Sequence, residues 1–148
     1  MDRGGGGKKM EEEKVLVIDA SVVVKWFNIE PLHDKAIAIR DAYIDGVIEI
    51  IAPTLIYYEV ANALRYNPRF GIEEVNAAVK TLEDLSLTTY EFMDMASKAV
   101  EIAYMYGITV YDAAYVSLAA LMGAVLYTAD REVTAKVSAE YVKHLSEF

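Results

Sequence analysis

The sequence contains no cysteine and no glutamine, and only three prolines, two histidines and one tryptophan. Without cysteine there is no disulfide framework, no thiolate metal site and no cysteine nucleophile. That lack fits a cytoplasmic chain, which is the expected location. Few thermolabile amides beside many charged side chains is a thermophile-like pattern. Positive charge is also short: 14 Lys and Arg face 23 Asp and Glu, for a net charge of −9 and a pI near 4.7. Taken alone, this argues against nucleic acid, because phosphate affinity comes mainly from Lys and Arg. The objection weakens if the acids gather around a metal, since a divalent cation inverts the local field and can bridge to phosphate.

Long hydrophobic runs are missing as well. Val15 to Ile18 is too short for the apolar segment of a signal peptide. The uncharged stretch from Ala113 to Ala129 falls short of the ~20 residues a membrane span needs, and Gly123 interrupts it. It reads as a buried helix followed by a buried strand, and no membrane contact is expected.

The chain has 148 residues, the size of one domain. A chain of this length buries roughly 70% of its unfolded surface, so it can hold a core without staples. A hydrophobic content of 55% and eleven tyrosines fit a well-filled core and a buried partner interface. A tyrosine-rich core accounts for the tyrosines equally well. Residues 1–13 combine a glycine run with charges and read as a disordered tail; residues 14–148 form the domain.

Val15 to Ile18 is a continuous β-branched run, as in a buried central strand. Helices are expected from Ser21 to Phe27 and from Pro31 to about Asp45, where Gly46 stops the chain. A strand follows over Val47 to Ala52. Pro53 and Thr54 open a helix ending near Tyr66, ahead of Pro68. Two further helices span Gly71 to Ser86, with an apolar stripe, and Glu91 to Tyr106. Ile108 to Val110 is a minimal strand candidate. Then come a helix from Asp112 to Met122, a strand over Val125 to Thr128 and a last helix from Asp130. Tyr141 to Leu145 suits an edge strand or a short helix. The alternation predicts an α/β fold: a three-layer α/β/α sandwich around a small, mostly parallel sheet.

In such sheets ligands bind beyond the carboxyl ends of the strands. Asp19 ends the first strand, and Glu59 lies two turns into the helix after the second. Asp112 opens the helix after the third candidate, and Asp130 follows the Val125–Thr128 run. Four carboxylates packed together raise one another's pKa, and a cation relieves this. Oxygen ligands suit Mg²⁺ or Mn²⁺, whereas zinc prefers His and Cys. Each acid also has a plainer reading. Asp19 and Asp130 suit N-caps, Asp112 a helix dipole, and Glu59 an ion pair with Arg or Lys.

Four blocks carry a resemblance: Val17-Ile18-Asp19-Ala20-Ser21, Tyr58-Glu59-Val60-Ala61-Asn62, Tyr111-Asp112-Ala113-Ala114-Tyr115 and Tyr127-Thr128-Ala129-Asp130-Arg131. In this order they resemble PIN-domain proteins, especially VapC-type toxins, over about residues 14 to 140. The resemblance implies a PIN-like sandwich and a metal-dependent endoribonuclease using metal-activated water, with no histidine base. It implies that Asp19, Glu59, Asp112 and Asp130 are the catalytic and metal-holding acids, supported by Ser21 and Thr128, while Asn62 lies on the side of Glu59. It also implies an RNA substrate, a homodimer and a small antitoxin. Arg65, Arg69 and Arg131, with Lys25 as a weaker candidate, are the cations placed to meet RNA; Arg65 equally suits a helix C-terminus.

A haloacid-dehalogenase phosphatase needs a second Asp where Ser21 stands, and a receiver domain needs a phospho-acceptor Asp after its third strand, so both are set aside. Two alternatives stay open: a PIN-type nuclease of RNA processing, RNA quality control or DNA, and a catalytically silent module that keeps the fold for partner binding.

Overall fold

A computed structural model describes residues 14–148; the expected tail, residues 1–13, lies outside the described residues. Three strands are apolar runs with both faces covered: β1 (Val15–Ile18), β2 (Glu49–Pro53) and β4 (Val125–Thr128). Burial on both sides is why they read as continuous apolar runs and not as alternating ones. Two shorter strands close the edges, β3 (Thr88–Tyr90) and β5 (Val142–His144). All pairings are parallel, in the order β3-β2-β1-β4-β5. Val17 pairs with Ile51 on one side and Leu126 on the other, so the carboxyl ends of the three central strands are nearly level.

The helices are α1 (Ala20–Phe27), α2 (His33–Ile44), α3 (Leu55–Arg65), α4 (Ile72–Asp84), α5 (Ala96–Tyr106), α6 (Val110–Met122) and α7 (Arg131–Lys136). Parallel crossovers are right-handed. The steps β1 to β2 to β3 move one way along the sheet and put α1 to α4 on one face. The return from β3 to β4 and on to β5 puts α5, α6 and α7 on the other. The result is a three-layer α/β/α sandwich, as the alternation predicted. At its centre α6 packs across β1, β2 and β4, with Ala113 to Ala119 all buried. Among the described residues no single helix is long and apolar enough to cross a membrane.

Two expectations need correction. Ile108 to Val110 is not a strand. Gly107 ends α5 in the left-handed conformation (φ 66°), Thr109 caps α6, and Val110 is already helical. The third strand is Thr88–Tyr90, a polar three-residue edge with no apolar run to announce it, held by its parallel pairing to β2. Asp112 therefore does not follow a strand. It reaches the carboxyl edge because α6 runs back towards the start of β4, which places the helix's first turn at that edge. The C-terminal alternatives both occur, as β5 and then a 3-10 turn over Leu145–Glu147.

Candidate active site

Strands β1 and β4 are neighbours, yet the chain leaves them for opposite faces of the sheet. Such a switch point opens a crevice at the carboxyl edge, and Asp19 and Asp130 stand on its two sides. Asp19 is the N-cap of α1, where it accepts a hydrogen bond from the Ser21 N–H at 3.1 Å and another from the Ser21 hydroxyl. Its second oxygen accepts from the Thr128 hydroxyl at 2.6 Å. Those hydroxyls are in turn fixed by the other strand end: Ala129 N–H donates to Ser21 Oγ at 2.8 Å, and Asp130 N–H to Thr128 Oγ1 at 3.0 Å. Ser21 and Thr128 thus lock the end of β1 to the end of β4 and aim the Asp19 carboxylate. Burial pushes Asp19 up to about 6; the Ser21 and Thr128 bonds oppose the rise, and the charges of Asp112 and Glu59 add to it.

Glu59 comes from α3, in the other layer from Asp112. The Tyr115 hydroxyl, on α6, donates to Glu59 at 2.7 Å, so one bond spans the two helical layers above the sheet edge. Burial raises the Glu59 pKa, the Tyr115 bond lowers it, and the Asp112 charge raises it. Tyr115 is buried, and burial with the Glu59 charge drives its phenol far above the usual range. It therefore stays a proton donor. Tyr115 is the site residue that motif reading passed over. Its signal was the three-residue spacing from Asp112, which puts both on one face of α6.

Asp112 sits in the first turn of α6, where its N–H is held by the Thr109 hydroxyl at 3.0 Å. Burial and then the Asp130 charge push its pKa upward. Asp130 caps α7, accepting from the Glu132 N–H at 2.9 Å. The capping readings of Asp19 and Asp130 are therefore correct, and they are not alternatives to a shared site: one carboxylate oxygen caps while the group also faces the crevice. The ion-pair reading of Glu59 is replaced by the tyrosine bond.

Asp19, Ser21, Glu59, Asn62, Asp112 and Asp130 line one open cavity of about 260 Å³. Thr128 is fully buried behind it. Asn62, one turn beyond Glu59, lines the cavity without bonding the acids. No acid of the four has an ion-pair partner among the described residues. Both histidines are engaged elsewhere, His33 with backbone carbonyls and His144 with Ser146. The donor set is all oxygen, which fits Mg²⁺ or Mn²⁺. No three acidic or imidazole groups among the described residues form a ready-made ligand cluster. An open cavity of this kind fits a hydrated Mg²⁺, which takes one or two carboxylates directly and keeps several waters.

The expected cations lie outside this cavity. Arg65 is two turns along α3 from Glu59, with its guanidinium 5.1 Å from the centroid of the Tyr66 ring. Arg69 lines a separate hollow beside Phe27 and Asn28, and Arg131 begins α7 exposed. Lys25 is excluded as a phosphate ligand: it is buried and paired with Glu30 at 2.9 Å.

The PIN domain profile matches residues 16–139. Ribonuclease VapC3 of Pyrobaculum aerophilum is 33% identical over 129 residues, covering 84% of this chain and 95% of that protein. The crystal structure of PAE2754, also from Pyrobaculum aerophilum, superposes with a TM-score of 0.58 at 28% identity, covering 92% of this chain and 86% of that one. Mycobacterium tuberculosis VapC20, described as a sarcin-ricin loop cleaving toxin, shares the fold at a TM-score of 0.61 and 15% identity, over 84% and 98% of the two chains. A toxin–antitoxin complex from Klebsiella pneumoniae does so at 0.63 and 18%, over 86% and 94%. By profile, sequence and architecture alike, the chain belongs to the PIN-domain family.

Proposed function

We propose that the chain is a Mg²⁺- or Mn²⁺-dependent endoribonuclease that hydrolyses RNA phosphodiester bonds as the toxin of a toxin–antitoxin pair. One observation carries the reading: four carboxylates from both helical layers share one open cavity, and none of them has an ion-pair partner among the described residues. The name of the Pyrobaculum aerophilum relative, a ribonuclease, supports the reaction class.

Asp19, Glu59, Asp112 and Asp130 would hold the ion. Bound there, it supplies the positive charge that neutralises the phosphate and lowers the pKa of a water. The protein's own part is orientation. Ser21 and Thr128 fix Asp19 through both of its oxygens, and Tyr115 fixes Glu59. Burial raises the pKa of Asp19 to about 6 and also raises those of Glu59 and Asp112, so cation binding at these groups would compete with protons.

Partners follow from the same reading. Beside the site, Leu55, Tyr58, Phe92, Val110 and Tyr111 line a largely apolar hollow of about 580 Å³. Exposed apolar surface of this kind marks contact faces; it supports the homodimer, and an antitoxin completes the pair.

The test is cleavage of single-stranded RNA by purified protein with Mg²⁺, Mn²⁺ or EDTA, beside the Asp112→Asn variant with its folding checked. Cleavage is expected with metal only and in the wild type only. Activity that survives both EDTA and the substitution overturns the mechanism.

A further inference from the structure

A groove between α3 and α4 neighbours the carboxylate cavity, and Asn62 lines both. The groove holds about 580 Å³ and is walled by Arg65, Phe70, Ile72, Val75 and Asn76, a volume typical of a small-ligand site. Its floor is apolar, none of its lining side chains is acidic, and amides stand on both sides, Asn62 from α3 and Asn76 from α4. Ile72 is 83% exposed, an unusual position for isoleucine at the mouth of a groove.

From these features we infer that the α3–α4 groove is a nucleobase subsite, which seats the base of a nucleotide flanking the phosphate held at the carboxylates. The inference rests on the nuclease reading above. Glu59, Asn62 and Arg65 recur at three-residue intervals along α3, so Arg65 lies about 9 Å along the helix axis from Glu59. That is within reach of a nucleoside attached to a phosphate in the cavity. The chemistry matches a base: apolar surfaces, with the Phe70 ring, for its flat face, and amides that both donate and accept for its edge. Arg65 suits the connecting phosphate. In a chain with a charge of −9, Arg65 has no ion pair among the described residues. Its contact is the stack on Tyr66. Glu74 on α4 is not among the lining residues, and its carboxylate is engaged in accepting the Gly71 N–H at 2.8 Å. An acidic or neutral peptide would explain the apolar floor, but not the position of the groove one helical turn from Glu59, with Asn62 lining groove and carboxylate cavity alike.

The test uses the full chain and short single-stranded RNA carrying 4-thiouridine at successive positions, with ultraviolet crosslinking mapped by mass spectrometry. Cleavage of a random RNA pool is sequenced in parallel. Crosslinks are expected at Phe70 or along residues 72–76, from one position next to the cut. Asn76→Ala, at an exposed residue, is expected to flatten the base preference at that position alone. Phe70→Leu, which keeps apolar volume but removes the aromatic face, is expected to weaken RNA binding about 10-fold, with melting curves confirming the fold. Arg65→Ala should instead weaken all sequences alike and reduce the salt dependence of binding. Groove crosslinks without cleavage support the subsite and overturn the nuclease. Cleavage with crosslinks elsewhere, or with profiles unchanged in both groove variants, overturns the subsite and leaves the groove to a protein partner. No RNA crosslink anywhere overturns both.

Discussion

At the floor of the carboxylate cavity, Asp19 is 9% exposed and accepts hydrogen bonds from the Ser21 N–H, the Ser21 hydroxyl and the Thr128 hydroxyl. At the rim, Glu59, Asp112 and Asp130 are only partly buried and each leans on one neighbour: Tyr115, Thr109 and the Glu132 N–H. The floor is oriented by the protein before any ligand arrives. The rim acids stand at three different helices, each with its own neighbour. Preorganisation therefore resides in the β1–β4 junction, and adaptability in the helix ends.

The contrast breaks most directly at Asp112. Asp112→Asn should lower RNA cleavage on the order of 10²–10³-fold while leaving the metal-free melting temperature unchanged or slightly higher, because it relieves repulsion. A large loss of stability would show that the rim is structural after all.

Asp19 gives the floor a pH signature. Its folded pKa of about 6 lies above its ordinary 3.8, so the folded state binds the proton more tightly than the unfolded state. This contribution is fully present below pH 4 and is lost as pH rises through 6, so that up to ~3 kcal/mol has disappeared by neutral pH. Glu59 and Asp112 shift in the same direction. Denaturant melts of metal-free protein between pH 4 and 8 should show the decline, and Asp19→Asn should remove most of it. Added Mg²⁺ should restore stability at neutral pH by binding the folded state. A flat wild-type profile would remove Asp19 as a buried, strained charge.

Thr128→Val tests whether the floor needs its lock. It removes the donor to Asp19 Oδ2 and the acceptor for the Asp130 N–H, and should cost about 1–3 kcal/mol in chemical denaturation. Tyr115→Phe is milder for the fold, about 1 kcal/mol, but should reduce metal affinity or cleavage about 10-fold or more by freeing Glu59. Equal effects on fold and function at both positions would erase the distinction between floor and rim.

The smallest expected effect separates capping from chemistry at Asp130. Asn caps a helix about as well as Asp, so Asp130→Asn should leave the melting temperature nearly unchanged while lowering cleavage. Asp130→Ala should do both, with a stability cost of ~1 kcal/mol.

The layered fold was legible because its central strands are apolar runs and its helices carry stops such as Gly46, Gly107 and Gly123, each with positive φ. The edge strand Thr88–Tyr90 was not legible, because a polar three-residue strand is defined by its partner and carries little signal of its own. Ile108 to Val110 misled for the converse reason: a β-branched tripeptide has strand character, but Thr109 and Gly107 make it a helix junction. Asp112 was assigned to the right edge by the wrong route, since a helix running back to β4 delivers its first turn to the same place as a helix leaving a strand.

What the sequence determined by itself was the alternation of strand and helix, and it singled out four acids as candidates for one strand edge, because periodicity, turn residues and isolated charges are local properties. What only the tertiary structure decided was how those acids divide. It buried Asp19 under Ser21 and Thr128, brought Tyr115 across two layers to Glu59, paired Lys25 with Glu30 and set the α3–α4 groove beside the cavity, with Asn62 lining both. Burial and hydrogen bonding depend on residues far apart in the chain, 109 positions in the case of Asp19 and Thr128, and no local pattern carries that information.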